Sequence, residues 1–243
     1  LIFDASEYVF KASPQIARAR RILIKPAASS HAPYPANTSP EIMEKIIYGI
    51  RQVSEADILL LEGTPEGDPV SPVYQSLGYD FPRVLTLDVK DCTWVEVDNP
   101  LNKPFAVPTF WIPNVILSSD YLISVAPLKI VNGEARMSIS NLLSTLPVHK
   151  YRGEDQRYLG ALSELGMNQS TADLYFTLPF DMGIIEARNI QTIDKRGNIV
   201  STEACGKIFT GDPLNVDREA ANLLNLKAGY LDLIEDALEE FDL

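Results

Sequence analysis

Polar side chains recur just past the C-terminal ends of apolar runs in this chain. Lys25 closes Arg21-Ile-Leu-Ile24, and Glu62 closes Asp57-Ile-Leu-Leu-Leu61. Lys129 lies beyond Tyr121-Leu-Ile-Ser-Val125, and Asp212 follows the run through Phe209. In an open parallel sheet such ends border one crevice, the usual place for a ligand. Lys25 and Lys129 would make that crevice locally positive, suited to a small anionic metabolite or cofactor. Asn141 would orient the ligand by hydrogen bonds, with Glu62 or Asp217 as base if catalysis accompanies binding. His31, in the loop directly after the first run, is a further contact candidate. The plainer alternative is that strands simply end in polar loops.

Other chemistries find little support. A hydrolytic triad needs a histidine to accept a proton. His31 and His149 are the only two, and no G-x-S-x-G elbow occurs. Neither G-x-x-x-x-G-K-[ST] nor G-x-G-x-x-G is present, and Gly63-Thr-Pro-Glu-Gly67 has the glycine spacing of a turn. Cys92 and Cys205 lack CxxC spacing, so no zinc site and no iron–sulfur cluster is expected in this chain. Glu62, Asp212 and Asp217 would hold Mg²⁺ or Ca²⁺ only if distant segments converged, so no metal site is expected.

The 243 residues carry a net charge of -12, from 33 acidic and 21 basic side chains. That excess repels phosphate backbones and anionic membranes, so neither nucleic acid nor membrane is an expected partner. Ala17-Arg-Ala-Arg-Arg21 is the most basic stretch and reads as a solvated helix face. An acidic surface would steer a basic protein, which leaves a non-catalytic assembly partner of a redox enzyme as the competing reading. No apolar run of about 20 residues exists to span a membrane. A soluble, cytoplasmic protein is the expectation.

The elements that would position these residues follow from periodicity. Strands are expected at 21–25, 57–61, 83–89, 93–97, 121–125, 181–186 and 207–210, with an extended Pro-punctuated segment at 105–111. Thr38 and Glu41 have capping-box spacing around Pro40. The helix they open would place Ile42, Ile46, Ile47, Ile50 and Val53 on one face. Strand, helix and strand over 21–61 have the length of a parallel crossover. A short helix is expected at 71–77 (stopped by Gly78), a short helix or turn at 114–119, and helices at 140–146 and 171–178. Hairpin turns are expected at Asn132-Gly133 and Lys195-Arg-Gly-Asn198. The segment 149–166, with Lys150, Arg152, Glu154, Asp155 and Arg157, reads as a surface excursion. Two helices close the chain, the last with Tyr230, Ile234, Ala237, Leu238 and Phe241 on one face. The expected fold is α/β, an open, mostly parallel or mixed sheet flanked by helices with β-hairpin excursions, and residues 1–243 form a single domain.

The order of these features resembles a prokaryotic family, domain of unknown function 362. The likeness rests on Ile24-Lys25-Pro26, Thr38-Ser-Pro-Glu41, Asp57-Ile-Leu-Leu-Leu-Glu62-Gly63 and Ile112-Pro-Asn-Val115. It continues through Ser119-Asp-Tyr-Leu-Ile-Ser-Val-Ala-Pro-Leu-Lys129, Ser138-Ile-Ser-Asn141 and Gly211-Asp-Pro-Leu-Asn-Val-Asp217. The resemblance implies no agreed activity, although ferredoxin-like modules in some members imply redox work or redox partners. The family pattern reads Lys-Pro-Asn where this chain has Ala27 third, a histidine where it has Ile130 and Val131, and Lys-Asn where it has Ser140-Asn141. Those departures remove an acid/base candidate and an anion contact.

Overall fold

The computed structural model describes residues 1–154, 156–178 and 180–240. Two sequence expectations, on Asp155 and Phe241, lie outside the described residues. In chain order the elements begin with β1 (Ile2–Asp4), α1 (Pro14–Arg18), β2 (Arg21–Pro26), α2 (Pro40–Arg51) and β3 (Asp57–Glu62). There follow α3 (Ser71–Ser76), β4 (Val84–Asp88), β5 (Trp94–Asp98), β6 (Thr109–Pro113), α4 (Asn114–Leu117), β7 (Tyr121–Val131) and β8 (Glu134–Arg136). Then come α5 (Gly160–Leu165), α6 (Met167–Thr177), β9 (Met182–Ile193), β10 (Ile199–Gly211), α7 (Pro213–Leu223) and α8 (Gly229–Glu240). A 3-10 helix covers Ser140–Thr145.

The main sheet is mixed, in the order β1-β10-β9-β7-β2-β3-β4, with β8 added to β7. The β2–β3, β2–β7, β3–β4 and β7–β9 pairs are parallel. β5 and β6 form a separate antiparallel pair. The continuous apolar runs have a simple cause: both faces of the central strands are covered. Ile22, Ile24, Ile58, Leu60 and Ile123 face one core together with Ile42, Met43, Ile46, Ile47 and Ile50 of α2. Leu23, Leu59, Leu61 and Leu122 face the other, against Leu142, Leu143 and Leu174. A third cluster joins Leu128, Ile185 and Phe209 to α7 and α8. Each such buried side chain contributes about 1.5–3 kcal/mol relative to exposure.

Several expectations are corrected in detail. The cap of α2 is Ser39, whose hydroxyl accepts from Ile42 N at 3.2 Å. Thr38 Oγ1 instead accepts from Ala27 N at 2.9 Å and donates to Val125 O at 2.7 Å, tying the end of β2 to the middle of β7. Val53 lies past the end of α2 and is 47% exposed. In the 105–111 segment only Thr109 onward joins a strand. Its earlier amides, on Phe105, Ala106 and Val107, donate to the buried carboxylate of Asp173 at 2.7–3.0 Å. The stretch 149–166 is fastened to the core by Tyr151, Leu159 and Leu162. β1 went unforeseen, and β7, β9 and β10 run longer than their apolar cores.

The functional consequence lies in that length. β7 pairs with β2 only as far as Val125. Its second half continues past the end of β2, where β8 pairs with it through Lys129–Arg136, Ile130–Ala135 and Val131–Glu134. The turn between them has positive φ at both Asn132 and Gly133, 52° and 81°, as a two-residue hairpin of this twist requires.

Candidate functional site

Three of the sequence-picked residues meet where the parallel strands end. Lys25 is 1% exposed and Glu62 0%. The Lys25 ammonium donates to Glu62 Oε2 at 2.9 Å, to Pro26 O at 2.7 Å and to Asn141 Oδ1 at 3.3 Å. An ammonium has three donors, so none is left over. Glu62 also accepts from Ala28 N at 2.8 Å and Gly63 N at 2.9 Å. The Asn141 amide donates to Lys25 O at 3.1 Å and Ser124 Oγ at 2.9 Å. Burial lowers the pKa of Lys25, and the Glu62 carboxylate acts against that shift. The hydrogen-bonding capacity of Lys25, expected from sequence as an anion contact, is taken up by protein acceptors that join β2, β3 and the Ser140–Thr145 turn.

The open space lies beside this node. A cavity of about 250 Å³ is lined by Ala27, Lys129, Arg136, Met137, Asn141 and Ile193, among others. Lys129 and Arg136 are Cα partners across the β7–β8 ladder, so both side chains rise from the same face. Among the described residues neither side chain has a hydrogen-bond or ion-pair partner, and Nη1 of Arg136 is buried without one. Lys129 is partly buried. Desolvation pulls its pKa down to about 8; nearby Glu62 works against this and the like charge of Lys25 adds to it. Desolvation also lowers Arg136, with Tyr230 and Glu134 opposing. Arg136 was missed in the sequence because a charged residue three positions beyond a hairpin turn reads as solvated; the ladder register that sets it opposite Lys129 was the signal available.

Asp217 supports the wall of this pocket from behind. Its carboxylate accepts from Ser138 N and Ser138 Oγ at 3.0 and 2.6 Å, from Ile139 N at 3.0 Å and from Tyr230 OH at 2.7 Å. Burial raises its pKa to about 6 against the opposing pull of those bonds. Asp217 thus holds the turn that presents Met137, Ser140 and Asn141, and it does not line the pocket. Asp212 is exposed and caps α7 by accepting from Asn215 N at 3.0 Å. His31 is exposed, with Nδ1 3.0 Å from Ser76 Oγ. The site therefore gathers Lys25, Glu62, Lys129 and Asn141, with Asp217 behind, and leaves His31 and Asp212 elsewhere.

Among the described residues no three His, Cys, Asp or Glu side chains are grouped to hold a metal ion. Cys92 and Cys205 are free thiols. Among the described residues no helix is long and apolar enough to cross a membrane.

No curated protein matches the chain. Among solved structures it is similar to the lactate racemase apoprotein from Thermoanaerobacterium thermosaccharolyticum, with a TM-score of 0.55 and 12% identity. The likeness covers 90% of this chain and 53% of that one, so the chain spans about half the length of that protein. At this identity the likeness concerns the fold. A family model described as "Domain of unknown function (DUF362)" matches residues 22–222, most of the chain, so the chain belongs to that family.

Proposed function

We propose that this protein binds a small organic anion in the pocket over the β7–β8 hairpin. The observation that carries the reading is the pair of unpartnered cations, Lys129 and Arg136, side by side in a partly desolvated cavity. A buried guanidinium nitrogen without an acceptor is unfavourable by roughly 1–3 kcal/mol or more, and an anion removes that deficit. The volume of about 250 Å³ suits a metabolite of a few carbons. The lactate racemase that shares the fold is named for a small hydroxy acid, a molecule of this class. Lys25 and Glu62 act as a rigid floor, and Asn141 sits between floor and pocket.

Thermal unfolding with acetate, lactate, pyruvate and phosphate tests the proposal. An anion at a hundred times its Kd stabilises the fold by about 2.7 kcal/mol. For a chain of this length that is roughly 5–10 °C in Tm. The shift is expected in the wild type and lost in Arg136→Gln. An equal response in both proteins, or none to any anion, would sink the proposal.

A further inference from the structure

We propose that the anion carries a carbonyl next to its carboxylate, as a small 2-oxo acid does, and that Lys129 joins it as an imine while Arg136 holds the carboxylate. This deepens the anion-binding reading and rests on it. An imine-forming lysine needs a free amine inside a pocket, close to a second cation that favours its neutral form. Lys129 differs from Lys25 in having no hydrogen-bond partner among the described residues, and from exposed lysines such as Lys103 and Lys195 in being partly buried in its cavity.

Its surroundings fit that need. Arg136 flanks it across the ladder, and desolvation, with a smaller contribution from the like charge of Lys25 and against the pull of Glu62, lowers its pKa to about 8. The nearby acids are engaged elsewhere. Glu62 pairs with Lys25, and Glu134 is bonded to Lys227 at 2.7 Å and to Gly229 N at 3.0 Å. Directly opposed residues in an antiparallel ladder have Cβ atoms about 5 Å apart. That neighbouring arrangement matches a carboxylate and a carbonyl on adjacent carbons. Val131, Met137 and Ile193 supply an apolar wall for a short side chain.

The step balances without an oxidant or a metal. The neutral amine of Lys129 adds to the carbonyl carbon, forming the C–N bond. The carbonyl oxygen then leaves as water with the two amine hydrogens, and the C=N bond remains. Cyanoborohydride reduces that bond by delivering hydride to carbon, with a proton from water completing a stable secondary amine.

The experiment is pyruvate plus cyanoborohydride, followed by peptide mass spectrometry, with Tm measured in parallel without reductant. One reduced pyruvate unit is expected on Lys129, at least about tenfold above Lys103 or Lys195 at neutral pH, since each unit of lowered pKa gives tenfold more neutral amine. Arg136→Gln should slow labelling by pyruvate but not by acetaldehyde, which has no carboxylate. Lys129→Arg should lose the label and keep a pyruvate-induced rise in Tm. If pyruvate raises Tm but Lys129 is labelled no more than surface lysines, the imine is overturned and anion binding stands. If pyruvate gives neither shift nor label while acetate still shifts Tm, the imine alone falls; if no anion acts, both readings fall.

Discussion

At the scale of single residues, the charges beneath and inside the pocket behave differently. Lys25 and Glu62 are buried and mutually satisfied, so removing one strands the other. Lys25→Met should destabilise by about 3–5 kcal/mol in urea unfolding, and Lys25→Met with Glu62→Leu should recover much of that. Recovery absent in the double variant would mean that the pair does more than neutralise itself. Lys129 is an open cation whose pKa of about 8 lies below that of a solvated lysine. It is charged below that value and neutral above it, so anion affinity measured by calorimetry should fall as pH rises from about 7 to about 9. In the absence of anion, the same group penalises the fold while charged, so its contribution to stability improves over that rise. Lys129→Arg should flatten both trends. Lys25, Glu62 and Asn141 were legible as polar residues ending apolar runs or sharing the family order. Their mutual bonds were not, because 37 positions separate Lys25 from Glu62 and 116 separate Lys25 from Asn141.

At the scale of elements, the turn bearing Met137 to Asn141 is clamped between β9 and α7. A methyl group on Gly183 would lie 2.5 Å from Ser138 Oγ and 3.1 Å from Pro213 Cα, so the close approach demands glycine. Gly183→Ala should cost about 1–3 kcal/mol as an overpacked contact, and should also weaken anion binding by displacing Ser138 from Asp217. Denaturation and calorimetry on one preparation check both effects. Asp217 adds a pH term. Its folded pKa of about 6 exceeds that of an unfolded aspartate, so its contribution is complete below about pH 4 and declines as pH rises through about 6. Asp217→Asn should remove that decline from urea midpoints measured between about pH 4 and 7. The central strands and α2 were legible because buried runs and a 3.6-residue period are strong local signals. β1 was not, since Ile2-Phe-Asp4 is a strand only by pairing with residues 207–209.

At the scale of the molecule, an acidic protein of net charge -12 holds an uncompensated positive pair in one recess. Retention on an anion exchanger and flow through heparin at moderate salt are expected, because a net charge of -12 repels polyanions. Binding to heparin would reassign Lys129 and Arg136 to a larger interface. The α/β architecture followed from the sequence alone, since alternating strand and helix patterns leave few topologies. The place of the pocket did not follow, because it depends on how far β7 outruns β2. That overhang has a consequence for engineering. The polar groups facing the cavity all lie between Lys129 and Asn141, on one hairpin and its following turn, while the core strands beneath contribute backbone and small apolar side chains. Under the proposed reading, ligand preference would be retuned at Lys129 and Arg136 alone, because Met137, Ile139 and Asn141 in the same stretch also hold the fold together.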